Sequence, residues 1–186
     1  MLKMSGVFGL LLALSAPFLQ AQSGQVPKQA IDITAAEIKE VQKTEPPKTD
    51  QQLKIADMGK YNLGVGVIHR GPTKDNEPLT GFSHDQTGET YIILSGSGTL
   101  VTGGTMVDPK PIAKDSEAYQ VLNGPTEAGG VRGGYRRKVG PGDVIIIPQG
   151  VFHGWAEIKD HIDYLSVRPD PDKILPAGYV NPTIRK

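Results

Sequence analysis

Leu53 and Ile55 alternate with polar neighbours, the period of a strand with one face covered. After the turn signal Asp57-Met58-Gly59, the segment Tyr61–Ile68 alternates again, with Leu63, Val65 and Val67 on one face. The other face carries Gly64 and Gly66, which predicts close approach by another backbone or by a ligand. Further strands are predicted at Thr90–Leu94, Thr99–Val101, Val144–Ile147, Phe152–Ile158 and Ile162–Val167. Ser95-Gly96-Ser97-Gly98 separates the first two of these, and Val144–Ile147 reads as a buried strand ended by Pro148. One short helix, 35–43, is expected: Thr34 and Glu37 have capping-box spacing, and Pro46-Pro47 lies beyond its end. It either packs on the outside of the main domain or acts as a spacer. Many short strands with glycine and proline turns and one minor helix point to an all-β, antiparallel sandwich or barrel.

Two regions break this pattern. Residues 1–21 hold Lys3, an apolar run from Val7 to Leu14, then Pro17 and Ala21, the layout of a secretory signal peptide. The run is too short to span a bilayer, and no longer apolar stretch follows. The expected product is therefore periplasmic or secreted, without a membrane span once residues 1–21 are removed. Residues 103–138 are rich in glycine and proline and read as a long loop insertion, either a lid over the barrel mouth or a surface excursion. The domain expectation is a leader and helix over 22–50, a barrel over 51–168 and an extended tail over 169–186. Pro169, Pro171 and Pro176 keep that tail extended, while Ile174, Leu175 and Tyr179 are apolar enough to dock on the barrel or on a partner subunit.

The chain has 186 residues, enough for one domain plus a tail. Its 20 basic and 20 acidic side chains leave no basic footprint for nucleic acid. Cysteine is absent, which removes disulfides, thiolate nucleophiles and cysteine-based metal sites. Four histidines remain, His69, His84, His153 and His161, and any metal site must combine them with carboxylates.

Phe82 and His84 are two apart and share a strand face, and Glu89 begins the partner strand beyond a turn. A hairpin there brings His84 and Glu89 to one face. The strand Val144–Ile147, a Pro148-Gln149-Gly150 turn and a returning strand place His153 inside. Two imidazoles and one carboxylate suit a divalent transition metal and leave coordination positions open.

These residues resemble the two motifs of the cupin superfamily. His84, four residues, Glu89, six residues and Gly96 match the first motif; Gly142, Pro148, Gly150 and His153 match the second. Asn76, Phe82 and Glu157 stand where the family has Gly, His and Asn. The resemblance covers about 61–168 and implies a jelly-roll barrel with one metal inside, held here by His84, Glu89 and His153. The ion would be Fe, Mn, Zn, Ni or Cu. Phe82 cannot coordinate, so the site has three protein ligands or is degenerate and empty. The family implies a small-molecule ligand or substrate and a homodimer, and its reactions include dioxygenase, isomerase and lyase chemistry.

His69 has the parity of Val65 and Val67, which points it into the barrel as a pocket residue or a further ligand. Tyr91 and Trp155 lie two residues beyond proposed ligands and, with Phe82, are pocket-wall candidates; packing explains both equally well. His161 is expected to be solvated, Gln149 to serve the turn, and Arg70 and Arg168 to be exposed unless they bind an anionic substrate. Three functions remain open: a metal-dependent enzyme on a small organic molecule, a non-catalytic binding protein for a sugar-like or other small molecule, and an interaction module using 103–138.

Overall fold

A computed structural model describes residues 26–44, 49–74 and 79–184. The signal-peptide reading of 1–21 lies outside these residues. Helix α1 spans Ala35–Gln42, and the capping box forms: the Thr34 hydroxyl accepts from Glu37 N at 3.2 Å, and Thr34 N donates to Glu37 Oε2 at 2.7 Å. Nine strands follow: β1 Asp50–Asp57, β2 Asn62–Arg70, β3 Thr80–His84, β4 Glu89–Thr102, β5 Thr105–Pro111, β6 Thr126–Arg132, β7 Tyr135–Val139, β8 Val144–Ile147 and β9 His153–Asp170. A π-helix, Ala118–Asn123, lies between β5 and β6.

All pairings are antiparallel, in the order β1-β2-β9-β3-β6-β5, with β4 beside β9 and also carrying β7 and β8. This is a jelly roll whose sheet does not close on itself. The main core gathers Ile68, Tyr91, Ile93, Leu100, Ile145, Ile147, Ile158, Ile162 and Tyr164 between the strands.

The glycine run 95–98 does not separate two strands. β4 runs through it, and β9 likewise runs unbroken from His153 to Asp170. The β4–β9 register shifts at Ile93/Ser95, Gly96/Gly98 and Thr99/Leu100, so the glycines act as bulges that bend a continuous strand. Gly96 has φ +69°, and a Cβ there would lie 2.0 Å from the His161 carbonyl oxygen, so no other residue fits.

Residues 103–138 differ from the expected loop. They hold β5, the π-helix, β6 and most of β7. Their sequence hides this because β5 and β7 are largely exposed and have no apolar alternation to show. Pro109 and Pro111 are tolerated because β5 is an edge strand with a register shift after Val107. Strand β8 also departs from its reading as fully buried. Ile145 and Ile147 face the core, whereas Val144 and Ile146 are exposed, because β8 pairs only with β4 and its outer face is uncovered.

Helix α1 lies on the outside of β1 and β2. Val41, Leu53 and Val67 are buried together, with Ile38, Val65 and Leu165 against them. Lys54 Nζ anchors the helix start, 2.7 Å from both Glu37 Oε1 and the Asp32 carbonyl. Past β9 the chain returns along the free edge of β1. Gly178 N donates to the Ile55 carbonyl, Ile55 N to the Tyr179 carbonyl and Asn181 N to the Leu53 carbonyl, at 2.8–3.0 Å. Leu175 is 1% exposed, and Asn62 Nδ2 donates to its carbonyl. The tail thus covers a sheet edge. Leu175→Ala should cost about 2–4 kcal/mol of unfolding free energy, measured by urea titration; a loss below about 0.5 kcal/mol, the level of an ordinary surface substitution, would show that the tail is not part of the folded unit.

Candidate metal centre

His84 ends β3 and Glu89 starts β4, but the expected hairpin does not form: β3 pairs with β6 and β9 and β4 with β7, β8 and β9, so residues 85–88 cross between strands that are not partners and still bring both side chains inward. His153 starts β9 and its strand pairs with β3 at Phe82↔His153. Gly150 N donates to the His84 carbonyl at 2.8 Å, which ties the Pro148-Gln149-Gly150 turn to the end of β3. The three side chains are buried and meet. His153 Nε2 lies 3.1 Å and His84 Nε2 3.4 Å from Glu89 Oε2, and the two imidazole centroids are 4.9 Å apart. Their donor atoms lie within 4.8 Å of one another.

With both motifs in register on facing strands of a jelly roll, the architecture is decided. The chain has a cupin-type fold. No family model matches the sequence, and no curated protein does. Among solved structures the chain is similar to a Bacillus halodurans protein, over 83% of this chain and 90% of that one, at 14% identity and a TM-score of 0.46. A cupin protein from Bacteroides fragilis aligns with 63% of this chain and 72% of its own, at 19% identity and a TM-score of 0.35. DMSP lyase DddQ from Ruegeria pomeroyi aligns with 63% of this chain, at 18% identity and a TM-score of 0.36; this chain covers 45% of it. The fold is carried by the strand order and the placement of the two cupin motifs, not by these distant likenesses.

The hydrogen bonds behind the cluster fix its protonation. His153 Nδ1 lies 3.1 Å from the Val151 carbonyl, which only accepts, so Nδ1 carries the proton. His84 Nδ1 lies 2.8 Å from Thr126 Oγ1, whose own proton goes to the Gly124 carbonyl at 3.1 Å. His84 Nδ1 is therefore also the protonated nitrogen. Each Nε2 then presents a lone pair to Glu89.

Glu89 has little capacity left. Oε1 accepts from Ser166 Oγ at 2.7 Å and from Arg168 Nε at 3.1 Å, and Oε2 accepts from Tyr91 Oη at 2.9 Å. The one remaining lone pair faces both histidines. Three acceptors converge with no donor among them, an arrangement able to hold a cation. A proton on one ring would satisfy one contact and leave the other repulsive. Burial opposes the charge on Glu89, but the polar and charged groups around it, the Arg168 guanidinium among them, outweigh burial and hold the carboxyl well below the usual range. Burial holds His84 below the ordinary histidine value, and burial with the Glu89 charge pushes Tyr91 well above the ordinary phenol value.

The cluster lines a cavity of about 270 Å³ with Asp50, Arg70, Phe82, Tyr91, Tyr164 and Arg168 among its walls. Ile112, Ala118, Leu122 and Asn123 cover it, so the segment 103–138 supplies one wall. Thr49, Arg70, Phe82, Tyr91 and His153 also line a larger cavity of about 1320 Å³, which continues past Trp155 to Val107, Lys110, Val131 and Arg132. Phe82 stacks on His84 with centroids 6.5 Å apart and an interplanar angle of 11°, and its ring is 39% exposed. Trp155 donates from Nε1 to Tyr164 Oη at 3.4 Å.

His69 does not join them. It faces solvent on the opposite side of β2, with Nδ1 2.6 Å from Asp163 Oδ1 and its ring stacked on His161. The parity argument fails because Val65 and Val67 form the outer face of β2, beneath α1, rather than the barrel lining. The lining face is that of Gly64, Gly66, Ile68 and Arg70. His161 is partly exposed and lies by Ser95 and Asp160.

Arg168 departs most from its sequence reading. It is 1% exposed, and besides Glu89 it donates from Nη1 to Gln52 Oε1 at 2.9 Å and from Nη2 to Asp50. A Cβ at Gly64 would lie 2.4 Å from Gln52 Nε2 and one at Gly66 2.9 Å from Arg168 Nη1, so the two glycines make room for this network. Those glycines were the one sequence signal for it. Removing one partner of such a network strands the others in a dry interior. Arg168→Met should cost about 3–5 kcal/mol, read by urea denaturation; a neutral effect would mean that water reaches Glu89 and Asp50.

Proposed function

We propose that the chain is an exported metal-dependent enzyme acting on a small organic molecule, with one divalent transition metal held by His84, Glu89 and His153. Convergence of three acceptors, with both imidazole tautomers set by their outer hydrogen bonds, is the observation that carries this reading. Such an ion, when bound, supplies Lewis acidity to an oxygen of a ligand. The chain's own residues supply the rest. Ser166, Arg168 and Tyr91 hold the carboxylate in one rotamer. Thr126 and the Val151 carbonyl aim the imidazoles. Ile112 and Leu122 close one side of the pocket against water, and the larger cavity leaves the other side accessible. Export follows the reading of 1–21, and a homodimer follows the resemblance.

Phe82 favours a second reading. Its ring occupies the position of the first histidine in the cupin pattern and lies flat on His84, as it would in a barrel that binds a small molecule without catalysis.

Metal analysis of purified protein separates the two. The expected result is about one divalent ion per chain, lost in His84→Ala and in Glu89→Gln. Wild-type protein that takes up no metal even on titration would remove the enzymatic reading and leave the binding protein. Phe82→His should add a fourth ligand and tighten metal binding in a competition assay with a chelator; unchanged affinity would show that the residue at 82 points away from the ion.

A further inference from the structure

We infer that the ligand of this site is an organic carboxylate, its carboxylate group paired with Arg70 at the neck between the two cavities. The inference deepens the proposed function and rests on it for the metal beside that neck.

Arg70 ends β2 and lines both cavities. Among the described residues its guanidinium makes one hydrogen bond, from Nε to Tyr164 Oη at 3.0 Å, and pairs with no carboxylate. That bond fixes the plane of the fork and leaves both Nη groups, four N–H donors, for another acceptor. Tyr164 is itself pinned, by Trp155 Nε1 and by its ring contact with Tyr91 at 4.4 Å. The donors are thus held on a rigid support one ring away from Glu89, since Tyr91 Oη donates to Glu89 Oε2.

Charge gives the sign of the ligand. The carboxylates of the inner pocket, Asp50 and Glu89, both pair with Arg168, Asp50 through Oδ2 while its buried Oδ1 has no partner among the described residues. Arg70 has no such partner. In the outer cavity Lys110 and Arg132 face Asp108 alone. Before any ion is added, four cationic side chains line the joined space against three carboxylates, and a divalent ion would widen the excess. An anion in the wide cavity meets Arg70 and His153, which line both cavities, whereas Glu89 lines the inner one alone.

The walls give the rest of its chemistry. Phe82, Tyr91 and His153 are shared by both cavities, and Trp155, Val131 and Ile158 continue the outer one. Flat apolar surface beside a planar two-pronged donor fits a carboxylate carried on an apolar or aromatic body. A phosphate would satisfy the charge but leave these walls uncovered.

Benzoate and benzamide have the same shape and differ in charge, so calorimetric titration of both into purified full-length protein is a direct test, with inorganic phosphate as a third arm. Benzoate should bind at least about tenfold more tightly than benzamide and more tightly than phosphate, and Arg70→Met should lose about 10- to 100-fold in benzoate affinity. Metal content should be the same in wild type and Arg70→Met, because Arg70 touches none of the three ligands. Equal binding of benzoate and benzamide by wild type overturns the inference whether or not the variant folds. So does an Arg70→Met protein that is folded by circular dichroism and binds benzoate like wild type. Phosphate binding more tightly than benzoate replaces the carboxylate with a phosphoryl ligand and also overturns it. Absence of metal from wild type is a separate result and strikes the metal reading alone.

Discussion

His153 and Glu89 touch, yet the chain puts them at opposite ends of one ribbon. Glu89 begins β4 beside the Val167–Arg168 end of β9, and His153 begins β9 opposite Thr102 at the far end of β4. Fifteen steps of straight strand would separate His153 from Arg168 by roughly 50 Å. Their side chains both reach Glu89, at 3.1 Å each. The β4–β9 ribbon must therefore roll until its two ends meet. Three register shifts and the glycines at 96 and 98 permit that curl, and every other strand hangs on the result. The cluster is a product of that curl: at full extension its ligands would be far apart.

The interior that the roll encloses holds charges, which burial disfavours strongly. They persist because each is paired with an opposite charge or with hydrogen-bonding groups. Arg168 spreads its donors over β1 and β4, reaching Asp50, Gln52 and Glu89, while Glu89 takes donors from β4 and β9. The same network extends outward: Asn181 Nδ2 donates to the Gln52 carbonyl at 2.8 Å, so the tail that covers β1 also backs the residue holding Arg168. Stability and site geometry share these atoms. A change that loosens the tail edge acts on the carboxylate through Gln52 and Arg168.

Motif spacing, read with the cupin resemblance, makes the meeting of His84, Glu89 and His153 legible, although the strands flanking each motif turn pair with other strands and not with each other as hairpins. Short-range rules also locate α1, since a capping box is a local signal. Two kinds of feature escape. One is any strand without apolar alternation: β5 and β7 are largely exposed, so neither prints the period that β1 and β2 print. The other is the side of a strand that counts as inside. Leu63, Val65 and Val67 look like a lining because they are apolar, but they form the outer face, where helix α1 covers Val65 and Val67, and the true lining is Gly64, Gly66, Ile68 and Arg70. Choosing the wrong face misplaces His69 and hides both arginines in the same stroke. A polar face opposite an apolar one reads as solvent unless its small residues are taken as space for something large, here Arg168.

The interior is divided by size and by polarity in the same place. Where it is narrow, the convergent lone pairs of His84, His153 and Glu89 meet no donor from one another, and Asp50 Oδ1 and Asn123 Oδ1 are buried without a partner among the described residues as well. Where it widens, Phe82 and Trp155 present aromatic surface while Arg70 keeps donors without a protein acceptor. Arg70 and the three acceptors share this neck yet are not bonded to one another among the described residues. A cation beside an anionic ligand is the pairing that the proposed reading sets between them, positive charge against the acceptors and negative charge against the Arg70 donors.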